Sequence, residues 1–320
     1  MKAKPIYVEL PIRADMDKLW RYTQTPELHR QWDLRFSEIA YLPRRADETV
    51  QRFLYRTRIG FGLNIAGTGE ARAQIAGPGG ERLSTLRFGS EQPISLIREG
   101  GGYWRYRPQG DCIVFSTRYD YRTRFGTAGR LFDRLLFRPL FGYATAWSFD
   151  ALRIWLERGI PPAATICKAL VHYICVALLA LLWLYQGLVP KLLFPGTWES
   201  ALFKQAGWPA ELADAMTAVL GVFEIGTALL AVLRHRSRRA LALLCALPAL
   251  LCAPALCVRP DLTTAPFGPV PLSLSMIGLG LLASLTLGDL PDAGRCARKP
   301  GESASSAAYS SGGTSDGIDL

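Results

Sequence analysis

Residues 167–195 read CKALVHYICVALLALLWLYQGLVPKLLFP. From Cys167 to Leu188 the run is almost wholly apolar and reaches the roughly 20 residues that a helix needs to cross a hydrocarbon core about 30 Å thick. Pro190 and Pro195 then stop the helix, and Lys191 is placed to snorkel towards headgroups. Trp183, Tyr185 and Trp198 fit an aromatic belt at the membrane–water boundary, and LLF (192–194) followed by ESALF (199–203) reads as a short segment in or beside the interface. This stretch divides the 320-residue chain. Residues on its N-terminal side alternate apolar and polar, and those on its C-terminal side are dominated by Leu, Ala, Val and Ile.

Three further apolar segments complete the second half, at residues 213–233, 240–258 and 268–287. Pro248 and Pro254 interrupt the third, which membrane helices tolerate when neighbours satisfy the freed carbonyls. Four buried helices of a soluble domain are the alternative, and too little polar sequence remains to cover them. RHRSRR, residues 234–239, joins the second and third segments, and Arg295, Arg298 and Lys299 come after the fourth. The positive-inside rule then predicts that the N-terminus, this loop and the tail are cytoplasmic. The opening residues MKAKPIYVELPIRAD lack the apolar core of a signal peptide. The expectation is a multi-pass protein of the bacterial inner (plasma) membrane with both termini in the cytoplasm.

Polar groups inside the spans carry a cost and face the bundle or a partner. Glu224 lies mid-segment, His172 near the start of the first segment and Gln186 near its end. Glu224 is open to two readings: a site for a headgroup, proton or quinone, or a hydrogen bond between helices with Gln186, Tyr185 or His172. For His172 the structural hydrogen bond is the preferred reading. WLYQGLVPKLLFP and GVFEIGTALL resemble the DoxX-like family of small four-helix membrane proteins across about residues 165–290. That resemblance implies topology more firmly than chemistry; some relatives are linked to quinone-coupled oxidoreductases.

Residues 1–160 carry 26 Lys+Arg against 17 Asp+Glu, so the basic surplus belongs to the first half. Such a surplus suits an anionic partner, and in this chain that partner is membrane lipid. No zinc-finger, helix-turn-helix or RNA-binding pattern accompanies it, which argues against nucleic acid. The seven cysteines form no CxxC pair, and most lie in or beside apolar runs. They predict neither a disulfide framework nor a metal site. No cofactor is expected.

PIYVELPI, residues 5–12, alternates like a strand, and two short helices are expected over RADMDKLWRYTQ and TPELHRQW. Strand-like runs continue up to Arg124, with GPGG and PQGD as turns, and a long helix over about 126–157 closes the region. LPIRADMDKLWRYTQTPELHRQWD at the front and GRLFDRLLFRPLFGYATAWSFDALRIWLERG at the back resemble the START-like, polyketide cyclase (SRPBCC) superfamily. The resemblance implies an α+β helix-grip domain over 1–160 whose sheet wraps a long helix around an apolar cavity. It implies a wide range of functions, from lipid carriers to cyclases.

Large aromatic residues are the candidate cavity wall: Trp20, Trp32, Phe53, Tyr55, Phe88, Trp104, Tyr106, Phe115 and Tyr119, with Tyr121 beside them. For any one of them, ordinary core packing is the commoner role. His29, near Glu27 and Asp33, reads as a helix-surface residue with acid/base work as the rival reading. No Ser-His-Asp order, metal-ligand spacing or dinucleotide fingerprint is present. Arg130, Arg134 and Arg138 fall four apart and form a candidate membrane-surface row, while Leu131, Phe132, Leu135, Leu136, Leu140 and Phe141 supply the helix's apolar face. Pro139 is expected to kink it.

The predicted architecture is therefore an α+β helix-grip domain over 1–160, an all-α four-helix transmembrane domain over 165–290, and a Ser/Gly/Ala-rich disordered tail over 291–320. The predicted function is membrane-tethered binding of a hydrophobic small molecule: a lipid, isoprenoid quinone or aromatic metabolite. A polyketide cyclase-like enzyme or a quinone-linked oxidoreductase membrane subunit is the alternative. A membrane partner subunit and a homo-oligomer both stay open.

Overall fold

The computed structural model describes residues 4–44, 48–60, 62–75, 79–194 and 198–302. The chain divides into two units, one of Met1–Thr165 together with Pro291–Leu320, the other of Ile166–Leu290.

In the first unit, β1 (Ile6–Ile12) alternates strictly between buried and half-buried residues, as its sequence requires. α1 (Met16–Gln24) begins where the Asp15 carboxylate accepts from the amides of Asp17 and Lys18. α2 (Pro26–Trp32) opens on a proline, whose missing N–H costs nothing in a first turn. Next come β2 (Glu38–Tyr41), a short strand that the sequence reading passes over, then β3 (Gln51–Gly60), β4 (Leu63–Ile75), β5 (Arg82–Gly89), β6 (Ile97–Gln109) and β7 (Cys112–Thr123). They form one antiparallel sheet in the order β1-β7-β6-β5-β4-β3-β2.

The closing helix runs in three parts: α3 (Gly126–Phe132), a π-helical turn (Asp133–Phe137) and α4 (Arg138–Arg158). The break expected at Pro139 takes the form of this widened turn, which gives the proline ring room where an α-helical carbonyl would stand. α4 packs on the sheet, and its Phe149 ring stacks on Phe115 at 4.4 Å. This is the helix-grip layout expected from the sequence.

Residues 291–298, which the sequence reading places in a disordered tail, instead pack on this unit. Ala297 and Glu9 exchange two backbone hydrogen bonds of 3.0 and 2.9 Å at β1. Cys296 is buried and its thiol donates to the Ala146 carbonyl. Arg298 donates to the Gly142 carbonyl at 2.8 Å. The fully buried Asp150 is the anchor: it accepts from Arg153 at 2.6 Å and from the Asp292 amide at 2.8 Å. The strap runs along α4 beside β1 and shields the free edge of β1 from pairing with other chains. Residues 303–320 lie outside the described residues.

The second unit contains α5 (Pro162–Leu188), a π-helical turn (Val189–Leu193), α6 (Trp198–Gln205), α7 (Ala210–Leu233), α8 (Arg238–Val258) and α9 (Pro269–Thr286). Four stretches are long and apolar enough to cross a membrane: Pro162–Leu193, Ala210–Leu233, Arg238–Val258 and Pro269–Arg295. Their shared core holds Leu179, Trp183, Leu241, Leu244 and Met276. Outward faces carry exposed Leu181, Val222, Leu233 and Leu285, which a helix bundle in water would not leave bare. Pro248 and Pro254 both lie within α8. Trp183 is 2% exposed, so it belongs to the core and not to an aromatic belt, whereas Tyr185 is 58% exposed. The Trp198 side chain lies outside the described residues.

Asp150→Asn removes the charge that holds the strap. The expected result is a loss of about 3–5 kcal/mol, in line with breaking a buried ion pair. Burial pushes the Cys296 thiol well above its ordinary range, so Cys296 should resist alkylation in the wild type and react in the variant. Thermal unfolding and peptide mapping after iodoacetamide treatment measure both.

Candidate functional site

The sheet of the first unit is lined by a repeated pairing. Across β3 and β4, Phe53 faces Gly69 and Tyr55 faces Gly67. Phe88 on β5 faces Gly100 on β6, and Tyr119 on β7 faces Gly102 on β6. A Cβ built on Gly69 would meet the Phe53 ring at 2.2 Å, and one on Gly67 would meet the Tyr55 ring at 2.4 Å. On Gly100 it would meet the Phe88 ring at 2.6 Å, and on Gly102 it would meet Tyr119 Cβ at 2.5 Å. The rings of Phe53, Tyr55 and Phe88 thus occupy the space over a glycine, and the Tyr119 side chain crowds the fourth. Large side chains that would otherwise fill the interior lie along its wall.

What remains is a cavity of about 550 Å³ bounded by the sheet, α2 and the helix from α3 to α4, a size typical of small-molecule sites. Of the candidate wall residues, Phe53, Tyr55, Phe88, Trp104 and Tyr119 line it. Trp20, Trp32, Tyr106 and Phe115 do not. Trp32 is fully buried with its indole N–H on the Tyr22 carbonyl. Tyr106 stacks on Phe115 at 4.9 Å, and Trp20 packs on Tyr106 at 5.0 Å. These four form the core layer behind the wall. Tyr121 donates to Asp133 at 2.7 Å and lies under Arg138, fixing the π-helical turn.

Several lining residues were not singled out in the sequence, among them Gln24, Arg35, Phe36, Leu86 and Phe137. For Phe53, Tyr55, Phe88 and Tyr119 the glycine facing the aromatic residue is the signal that would have sorted wall from core, whereas Trp104 faces Ser84 and Thr117. Leu34, Ile59, Ile94, Phe132 and Leu140 form an apolar rim, each about half exposed.

His29 is not on the outer surface. It lines the cavity, packed against Trp32, Phe36 and Trp104 at 4.9–5.4 Å. Its Nε2 lies 3.0 Å from Asp33 Oδ2. The buried Asp33 carboxylate also accepts from Arg35: the amide at 3.1 Å, Nε at 2.8 Å and the terminal nitrogen at 2.6 Å. Burial alone would raise its pKa, but the Arg35 charge and hydrogen bonds, with His29, outweigh that and hold it well below the usual carboxylate range. The Arg35 guanidinium lies over the Phe36, Tyr119 and Phe141 rings at 5.5–5.7 Å.

Other polar wall groups spend their hydrogens internally. The hydroxyls of Tyr41, Tyr55, Thr57 and Thr117 donate to backbone carbonyls, and burial pushes the Tyr41 and Tyr55 phenols up to about 12. Tyr119 pairs with Thr145 at 2.7 Å. The Gln24 amide donates to Tyr106 and its oxygen accepts from Ser84.

The basic row divides. Arg130 and Arg134 are exposed, but Arg138 is bound to Asp133 at 2.9 Å, to Asp120 at 3.1 Å and to the Lys4 carbonyl at 2.8 Å. It is a structural clamp, not a free surface charge. Leu131, Leu135 and Leu136 of the same helix are exposed instead of lining the cavity.

In the second unit Glu224 pairs with Lys191 at 2.8 Å, and not with the side chains of Gln186, Tyr185 or His172. Lys191 is 2% exposed, so it does not snorkel. It also reaches Glu199 at 2.8 Å and the Gln186 carbonyl at 3.1 Å. Gly187 and Gly221 bring α5 and α7 together beside it: a Cβ on either would meet the other's carbonyl oxygen at 2.4 or 2.7 Å. His172 is fully buried and bonded through Nδ1 to the Ala283 carbonyl at 2.9 Å and through Nε2 to His235 at 3.1 Å. Among the described residues no His, Cys, Asp and Glu group could hold a metal ion.

Residues 180–281 match the DoxX-like family. A curated relative, the uncharacterized membrane protein YndG of Bacillus subtilis (strain 168), is 49% identical over 205 residues, spanning 63% of this chain and 76% of its own. Among solved structures, a STAR-related lipid transfer protein from Xanthomonas axonopodis aligns with 47% of this chain and 83% of its own at 18% identity and a TM-score of 0.35. The Zhui aromatase/cyclase from Streptomyces sp. R1128 aligns with 48% of this chain and 94% of its own at 11% identity and a TM-score of 0.37.

Gly69→Val should displace the Phe53 ring and cost about 1–3 kcal/mol by overpacking, read as a lower thermal midpoint. Lys191→Met leaves two buried carboxylates without a cation and should cost about 3–5 kcal/mol. Adding Glu224→Gln to Lys191→Met should restore part of that loss in the same assay.

Proposed function

The chain belongs to the family of the Bacillus subtilis membrane protein YndG, and on that footing we propose that it binds a hydrophobic small molecule in the cavity of its first unit while anchored in the membrane by its second. The cavity of about 550 Å³ behind an apolar rim is the observation that carries this reading. A lipid, an isoprenoid quinone or an aromatic metabolite has the matching character. Burial of apolar surface drives binding at about 25 cal/mol per Å². A ligand that hides about 300 Å² gains about 7 kcal/mol by that coefficient, before the entropic cost of association.

The membrane anchor concentrates the cavity beside the bilayer in which such ligands dissolve. Four spans leave one unit and return to it at the strap, which supports a topology with both ends of the insert on one side. The arginines of residues 234–239 and the basic tail support the cytoplasmic side of the plasma membrane. Exposed Leu131, Leu135 and Leu136 beside Arg130 and Arg134 support contact with anionic lipid.

The test is mass spectrometry of organic extracts from the full chain purified in mild detergent, beside an Ala144→Trp variant that fills the cavity. The wild type should carry an apolar compound well above mock-purified background, and the variant several-fold less. Equal amounts in both would move the ligand away from the cavity, and none in either would sink the reading.

A further inference from the structure

We infer that the ligand carries a hydroxyl group, and that His29 Nδ1 accepts its hydrogen. The inference deepens the cavity-binding reading and rests on it.

The argument is a count of donors and acceptors at the wall. Asp33 is an ionised carboxylate, able only to accept, and already holds three hydrogen bonds from Arg35. The 3.0 Å contact between His29 and Asp33 Oδ2 therefore needs a proton on Nε2. In the neutral form of the ring that is its single N–H, and the lone pair then stands on Nδ1. The carboxylate thus sets the tautomer, and Arg35 sets the carboxylate.

Nδ1 of His29 has no partner among the described residues, and His29 lines the cavity. The hydroxyls around it already give their hydrogens to the protein, so what they keep towards the cavity is also acceptor capacity. The donors left over are the second amide hydrogen of Gln24 and the remaining N–H groups of Arg35, whose guanidinium is sandwiched among aromatic rings. An imidazole lone pair is the strongest acceptor in this set. A wholly apolar ligand would leave it desolvated and unpaired, at a cost that a ligand hydroxyl removes. The ring walls of Trp104 and Phe36 on either side of His29 suit an aromatic or alicyclic carrier of that hydroxyl. The class is therefore a phenol or an alcohol on an otherwise apolar skeleton.

The test uses the full chain in nanodiscs and two probes, 4-octylphenol and 4-octylanisole, with binding measured against empty discs. The anisole keeps the oxygen and the tail but has no hydrogen to donate, and simple partition favours it. The wild type should hold the phenol about tenfold more tightly than the anisole, the ratio that one added hydrogen bond supplies. In His29→Phe the preference should collapse to that of the discs. In His29→Gln, which keeps an acceptor, part of it should return. Equal affinity for the two probes in the wild type overturns the inference while leaving cavity binding standing. If neither probe exceeds empty discs, cavity binding itself fails and the inference falls with it.

Discussion

The first unit depends on the placement of aromatic rings over glycines. A curled antiparallel sheet around one helix has an interior that large side chains would fill if they stood upright. Here Phe53, Tyr55 and Phe88 lie on Gly69, Gly67 and Gly100, where a Cβ would sit within 2.6 Å of the ring. The glycines lower the intrinsic stability of their strands, and the rings covering them recover packing. The outcome is a wall that is aromatic and yet thin enough to leave about 550 Å³ empty. Remove the glycines and the same residues become an ordinary core.

Two buried charge clusters show opposite uses of the same chemistry. In the first unit Asp33 is saturated by Arg35 and His29, and its contact with Nε2 holds the imidazole ring in place. In the second unit Lys191 serves two carboxylates at once, and the deficit falls on Glu199, whose buried Oε2 has no partner among the described residues. The first arrangement orients a ring. The second pins the turn after α5 and the start of α6 to the middle of α7, at the point where Gly187 and Gly221 allow the closest helix approach.

The four apolar segments and the helix-grip order were legible because hydropathy and strand alternation depend only on local sequence. The cavity was legible as a class of residues but not as a list. Phe53 and Phe115 look alike in sequence; only the partner across the sheet, Gly69 or a packed core, separates wall from interior. His29 and Lys191 were misplaced for different reasons: Asp33, four residues on, is itself buried by its ion pair with Arg35 and so draws His29 inward, whereas Lys191 is turned inward by Glu224, far along the chain. The strap escaped notice because its low-complexity neighbours, residues 303–320, dominate the composition of the tail. Its contacts are backbone bonds, one buried thiol and polar bonds to Asp150 and from Arg298, which leave no hydropathy signal.

The strap also imposes an order on biogenesis. The ribosome makes β1 to α4 first, yet the partner of Glu9 on the open edge, Ala297, is made only after all four spans. At about 5–20 residues per second, roughly 140 further residues take about 7–28 s to synthesise. For that interval the first unit has an uncovered strand edge and a bare face on α4, the features that invite pairing with a neighbouring nascent chain. The last piece to arrive is therefore also a mark of completion: a unit with its strap seated is one whose chain has been made through all four apolar helices.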